Sequence, residues 1–183
     1  MSEKSLSESA GKTDLFSEFL ENPAGDKFKA LREALIHAPG FDFQSTALAE
    51  LETLADEEYW ERVLDWGATM MPEWIASPSV HQYLADAALE LDDDARAAQE
   101  EYLVNASLRG LSQTGDGSPE QPYLIVHPAD AYDLLESMGK EVEEQARLTT
   151  RIPALDVFRC SDGSAVHFDI SAARIEGAAA NPK

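Results

Sequence analysis

The chain has 183 residues, of which 44% are hydrophobic, and its 35 acidic against 14 basic side chains give a formal net charge of −21 at pH 7. This length is enough for one large hydrophobic core, or for two small cores that share a boundary. A field this negative repels phosphate backbones and anionic lipid headgroups, so the composition argues against nucleic-acid and membrane binding and favours a basic partner or a cation.

Cys160 is the one cysteine, which excludes an internal disulfide and a multi-cysteine zinc site. The first residues lack the apolar core that a signal peptide needs, and no run reaches the roughly 18 apolar residues of a membrane-spanning helix. We therefore expect a cytoplasmic protein, and no motif indicates a cofactor.

Apolar residues at helical spacing dominate the first two thirds of the chain. Residues 1–13, rich in Ser, Glu and Lys, are predicted to be disordered, and a short turn is predicted at residues 14–20. Helices are then predicted over residues 26–38 and about 44–54. A third helix follows Asp56 and is ended or kinked by Pro72.

Capping signals mark the next two helices. Ser77 followed by Pro78 predicts the start of the fourth helix, and residues 92–94, all aspartates, end it and cap the fifth. The predicted apolar face of the fifth helix is Ala95, Ala98, Tyr102, Leu103, Ala106 and Leu111. Because the loops are short, successive helices should be antiparallel neighbours, which predicts stacked helical hairpins of the tetratricopeptide kind, although no second copy of the repeat is evident.

Residues 114–122 contain two glycines and two prolines and end the helical pattern. A phosphate-binding loop needs a preceding strand and a lysine that reaches the phosphates. Here a helix precedes the glycines, no lysine follows them, and the field is negative. We therefore interpret this segment as a structural turn that joins two parts of the chain.

Beyond the joint, residues 123–127 predict a strand, and Pro128 begins a helix that Gly139 ends. The inward side chains of this helix are predicted to be Ala131, Leu134, Leu135 and Met138. Residues 141–150 are ambiguous, whereas residues 155–160 and 165–170 read as two strands of a hairpin.

The predicted fold class is α+β, with tetratricopeptide-like helical hairpins followed by a small α/β unit that contains an antiparallel hairpin. The parts run in chain order. They are a disordered segment (1–13), an acidic helical part (14–113), the joint (114–122), the small α/β part (123–171) and a flexible tail (172–183).

The hairpin holds the candidate catalytic residues Asp156, His167 and Asp169. If Asp162 and Gly163 are the two central turn residues, Asp156 faces Asp169 and all three candidates share one side of the sheet. Two opposed carboxylates beside an imidazole could bind a divalent ion or share a proton. The same pattern also fits the solvent-facing side of a hairpin, where polar residues belong.

The negative charge lies mostly in the helical part, since residues 1–122 carry a net −17 and residues 123–183 a net −4. Its densest stretch, residues 50–101, contains 15 acids and 2 bases. Exposed acids and an exposed aromatic ring are what a basic partner would contact. The candidate partner-binding residues are Glu57, Glu58, Glu61, Asp65, Trp66, Asp92, Asp93 and Asp94.

Residues 28–32, 114–126, 131–135 and 168–170 resemble an uncharacterised bacterial family, domain of unknown function 4919. The likeness covers residues 26–171, and its middle and end are more specific than its helical portion. It implies a tetratricopeptide-like helical part followed by a small α/β end, with no activity attached. This chain departs from the family in its weak repeat pattern and its unusually acidic helices.

Two functions remain as hypotheses. The first is a non-catalytic interaction module whose acidic helical surface binds a basic protein partner, as an adaptor or an immunity protein would. The alternative is a small metal-dependent or acid–base hydrolase built on Asp156, His167 and Asp169, which requires these side chains to converge in a pocket.

Overall fold

The computed structural model describes residues 14–150 and 152–173, which form seven helices and one four-stranded sheet. The α+β class predicted from the sequence is confirmed, while the predicted disorder of residues 1–13 and most of the predicted tail lie outside the described residues. The helices are α1 (14–21), α2 (Gly25–Ile36), α3 (Ala47–Asp56), α4 (Trp60–Met70), α5 (Pro78–Glu90), α6 (Asp94–Ser112) and α7 (Ala129–Ser137). The strands are β1 (Tyr123–Leu124), β2 (Val142–Leu148), β3 (Leu155–Cys160) and β4 (Ala165–Asp169).

The predicted helix boundaries rest on capping, and the structure confirms the clearest of them. The Ser77 side chain accepts a hydrogen bond from the backbone N–H of Val80 at the start of α5, and Asp93 accepts one from Arg96 at the start of α6. Each cap satisfies a backbone donor that has no partner inside its helix. Helix α4 ends at Met70, two residues before Pro72, as expected where proline cannot continue the helix.

The predicted apolar face of α6 is wrong in part. Ala95, Ala98 and Tyr102 are exposed, and the buried face turns instead through Ala97, Glu100, Leu103, Ala106, Ser107, Gly110 and Leu111. This face includes small and polar residues because α6 packs against both α5 and α2. At Gly110 an added Cβ would lie 2.5 Å from the Phe19 ring, and Glu100 is buried because its carboxylate lies 2.7 Å from His81 Nδ1.

The sheet has the strand order β1-β4-β3-β2, with β1 parallel to β4 and the other pairs antiparallel. Residues 142–148, ambiguous in the sequence, form the edge strand β2. Strand β1 is shorter than predicted because the backbone N–H groups of Val126 and His127 donate to the Asp130 carboxylate, which leads the chain into α7. At the other end of α7, Met138 was predicted to face inward, but its side chain is exposed.

The β3–β4 hairpin forms with a register one residue away from the predicted one. Gly163 N–H donates to Cys160 O and Gly163 has φ +80°, which makes a three-residue loop over residues 161–163 rather than a two-residue loop. Asp156 therefore pairs with Phe168, and Asp169 pairs with Leu155. Since a shift of one residue moves a strand's side chains to the other face, the predicted Asp156–Asp169 pair does not form.

The hydrophobic core consists of two clusters. One lies among α3, α4 and α5 and includes Leu51, Leu54, Val63 and Leu84. The larger cluster joins α1 and α2 to the sheet and α7, so helical residues such as Phe28 pack with sheet residues such as Phe168. The joint at residues 114–122 therefore marks a change of secondary structure but not a boundary between cores, because the larger cluster contains residues from both sides of the joint.

Candidate functional site

The structure does not bring the three candidate catalytic residues together. Asp156, 1% exposed, accepts hydrogen bonds from Arg147 Nε and Nη2 at 2.8 and 3.0 Å. His167 Nδ1 lies 2.9 Å from the Gly117 carbonyl oxygen, to which it donates, and its backbone N–H donates to the same oxygen. Asp169 lies on the opposite face from Asp156 and accepts hydrogen bonds from the backbone and side chain of Ser171.

Each of these side chains therefore has a protein partner that accounts for its position. A bidentate arginine is the usual partner of a buried carboxylate, and it explains why Asp156 can be buried. Within residues 14–150 and 152–173, no three His, Cys, Asp or Glu side chains are placed to hold a metal ion. The geometric basis of the hydrolase hypothesis is absent, because its three side chains do not converge.

The glycine-rich joint makes internal hydrogen bonds, in keeping with a structural turn. The backbone N–H groups of Asp116 and Gly117 both donate to Gln121 O, and the N–H of Ser118 donates to the Asp116 carboxylate. Hydrogen bonds from the side chain and the backbone N–H of Ser118 hold the pKa of the Asp116 carboxyl below its usual range. A phosphate loop presents such N–H groups to its ligand, whereas these three are occupied within the loop.

A buried polar cluster lies where α2 meets the segment between β1 and α7. Arg32 Nε donates to Ile125 O at 2.8 Å, and one Asp130 oxygen accepts the two backbone N–H groups at the start of α7. Arg32 Nη2, Asp130 Oδ1 and both ring nitrogens of His127 have no hydrogen-bond partner within the described residues. Burial raises the pKa of Asp130 to about 7 and lowers the pKa of His127 to about 4.

The exposed acids of the helical part are organised by two equivalent turns. Helix α3 ends with Tyr59 N–H donating to Leu54 O and Glu58 N–H donating to Ala55 O. Helix α5 ends in the same way, with Asp93 N–H donating to Ala88 O and Asp92 N–H donating to Leu89 O. This is the Schellman arrangement, in which the residue after the C-cap is left-handed and is usually glycine.

Acidic residues occupy both left-handed positions, since Glu58 has φ 58° and Asp92 has φ 57°. The two turns lie 34 residues apart, which is the length of a tetratricopeptide repeat. Each turn reverses the chain within three residues, and α3, α4 and α5 pack side by side. Both turns therefore lie at the same end of the helical layer.

We call this end the acidic turn surface. Its exposed members are Glu57, Glu58, Tyr59, Leu89, Glu90, Asp92, Asp93 and Asp94. It includes five of the eight partner-binding residues predicted from the sequence. It also includes two large apolar side chains that the sequence reasoning missed, Tyr59 at 47% exposed and Leu89 at 48% exposed. Their place next to helix-ending turns is the signal that could have identified them.

The remaining predicted partner residues lie on α4. Glu61 and Asp65 are exposed, whereas Trp66 is half-buried and its indole N–H donates to Ala47 O at 3.1 Å. Asp65 and Trp66 line a shallow groove of about 230 Å³ between α3 and α4. Trp66 thus presents only part of its ring to a partner, because hydrogen bonding fixes the indole against α3.

No family model, curated protein or solved structure matches this chain. The resemblance proposed from the sequence motifs accordingly stays a prediction. In the part of the chain that the structure describes, no helix is both long enough and apolar enough to cross a bilayer.

Proposed function

We propose that this protein is a non-catalytic interaction module of the adaptor or immunity type, and that it binds a basic protein through the acidic turn surface. The observation that carries the proposal is the repeated turn, which places carboxylates and two half-exposed apolar side chains at one end of the helical layer. Large apolar or aromatic side chains inside a charged rim are the usual composition of an energetically important contact area.

Charge supports a basic partner in particular. Among the exposed members of the acidic turn surface, six are carboxylates and none is basic. Arg62 lies nearby, and its guanidinium is 5.3 Å from the centre of the Tyr59 ring, so it contacts the aromatic side chain of this surface. Such a surface accelerates association with a positively charged protein, and this attraction weakens as the salt concentration rises.

The test is affinity capture with two variants of equal net charge. The first replaces Glu57, Glu58 and Asp92 by lysine, and the control replaces the exposed Glu120, Glu141 and Glu143 by lysine. Proteins retained at low salt by the wild type are identified, purified and titrated against both variants. We expect the turn variant to lose affinity at least tenfold and the control to stay within about twofold.

Equal losses for both variants would mean that the partner responds only to overall charge, and would contradict the proposal. The apolar contribution is tested by Leu89→Ser against Met138→Ser, because both side chains are exposed and only Leu89 belongs to the acidic turn surface. The first change should weaken binding and the second should leave it unchanged.

A further inference from the structure

A cleft of about 400 Å³ opens where α5, α6 and α7 meet. Its lining residues are Pro78, Ser79, Gln82, Tyr83, Val104, Leu108, Asp133, Glu136 and Ser137. The first half of α5, the second half of α6 and the second half of α7 contribute to it. It therefore lies away from the acidic turn surface, which is formed by the other ends of α5 and α6.

The carboxylate of Asp133 is held in a fixed orientation in this cleft. Ser79 donates to it twice, from Oγ to Oδ1 at 2.6 Å and from the backbone N–H to Oδ2 at 3.0 Å. Glu136 follows three residues later, so the two carboxylates lie on one side of α7. Among the described residues, no Lys, Arg or His forms an ion pair with either carboxylate.

The opposite wall is apolar. Val104 and Leu108 are half-buried and lie one turn apart on α6, and Tyr83 adds an aromatic ring from α5. Burial raises the pKa of Tyr83, and the nearby Glu52 and Asp56 carboxylates raise it further, so the hydroxyl stays protonated and neutral. Burial likewise raises the pKa of Asp133, with the Ser79 hydrogen bonds acting in the opposite direction.

An apolar wall beside two carboxylates matches a side chain with an aliphatic stem and a cationic head. We propose that this cleft binds an arginine side chain presented by a basic protein. The stem lies along Val104 and Leu108, and the guanidinium donates to Asp133 and Glu136. Arginine fits better than lysine because its planar group can donate to two carboxylates at once. That the arginine belongs to a basic protein rests on the proposed function. That the cleft binds an arginine side chain does not.

The experiment is a titration of the whole chain with Nα-acetyl-L-arginine methylamide, followed by amide NMR shifts. The uncharged citrulline analogue, which has nearly the same shape, is the matched ligand. We expect a saturable change confined to the cleft, with a dissociation constant on the order of 1 mM, and no saturation with the citrulline analogue. Equal binding of both ligands would overturn the proposal. Shifts that spread over exposed acidic residues outside the cleft would overturn it as well.

Two variants locate the site. Glu136→Gln removes an exposed carboxylate and should weaken binding roughly fivefold, whereas Glu101→Gln on the exposed side of α6 should not. Leu108→Trp fills the cleft and should abolish the shifts, provided that its circular dichroism matches the wild type. Binding unaffected by Glu136→Gln and Leu108→Trp would place the ligand elsewhere and refute the assignment.

The two proposals fail separately. If the arginine derivative binds in the cleft while the lysine variant of the acidic turn surface keeps its full affinity for the partner, only the proposed function fails. If the cleft does not bind the derivative while that variant loses its partner, only the arginine site fails.

Discussion

The buried imidazole of His127 leads to a prediction about stability at acid pH. Its side chain is 1% exposed, and its ring stacks on Trp74 at 3.7 Å between centroids with 5° between the planes. Phe41 lies 5.3 Å away, and neither ring nitrogen has a hydrogen-bond partner of good geometry among residues 14–150 and 152–173. Replacing His127 by phenylalanine keeps the aromatic stacking and removes two buried polar atoms, so we expect no loss of stability at neutral pH.

The effect of pH follows from the lowered pKa. The ordinary pKa of a histidine is 6.5, so the unfolded chain takes up a proton at His127 once the pH falls below that value. The folded chain takes up this proton only when the pH falls to about 4. This group therefore contributes stability above pH 6.5, and that contribution is lost as the pH falls from 6.5 to 4. A shift from 6.5 to about 4 corresponds to about 3 kcal/mol.

The measurement is urea unfolding of the wild type and His127→Phe by far-ultraviolet circular dichroism, at several pH values from neutral down to pH 4. Taking the difference between the two proteins cancels the titration of groups that they share. We expect this difference to grow in favour of the variant, by about 3 kcal/mol, as the pH falls through the window. A difference that does not change with pH would refute the assignment of His127 as a neutral buried ring.

Three further predictions concern other buried or closely packed groups. Asp130→Asn should show the opposite pH trend, because the raised pKa of Asp130 makes the wild type lose stability as the pH rises from about 4 to 7, a loss that the variant avoids. Arg147→Ala should cost about 2–3 kcal/mol in urea unfolding, since it removes the cationic partner of the buried Asp156 and leaves that carboxylate a hydrogen bond from Gln145. Arg159→Ala, which breaks an exposed pair, should cost under about 1 kcal/mol. Gly67→Ala should lower the free energy of unfolding by about 1–3 kcal/mol, because its Cβ would lie 2.5 Å from a leucine methyl group of α5; an unchanged melting temperature would contradict the packing of α4 on α5.

The helices could be predicted from the sequence because their signals are local. Ser77 and Pro78 at the start of α5, and the aspartates before α6, act through backbone groups a few residues away. The face of α6 could not be predicted in the same way. Alanine is compatible with either a buried or an exposed position, and Glu100 is buried only because His81 from another helix meets it.

The predicted catalytic site on the β3–β4 hairpin was wrong for a different reason. The dipeptide Asp162-Gly163 is compatible with two-residue and three-residue loops, and the choice between them decides which face each side chain of a strand occupies. The observed loop pairs Asp156 with Phe168 and leaves Asp169 on the other face. The separate register of β2 against β3 places Arg147 beside Asp156. A single residue of loop length thus removed the pairing on which the hydrolase hypothesis depended.

The likeness of the two turns could not be seen in the sequence, because it lies in the backbone hydrogen bonds. Equivalent positions 34 residues apart carry side chains of different size, such as Leu54 and Ala88, or Val63 and Ala97, while the turns that follow α3 and α5 have the same hydrogen bonds. Side-chain patterns alone cannot reveal such a likeness when the helices that pack against each turn differ.

The acidic residues in the left-handed turn positions allow a test of function, because stability and partner binding should respond in opposite directions to their replacement by glycine. A non-glycine residue costs more than glycine in this conformation, so Asp92→Gly should raise the free energy of unfolding by roughly 0.5–1 kcal/mol. Asp92 is exposed, and the side chain that caps α6 is that of the neighbouring Asp93. If the variant is more stable and binds the basic partner less tightly, the carboxylate acts in binding and not in folding. If the variant is less stable, Asp92 has a structural role, and its place in the acidic turn surface is no evidence for a partner.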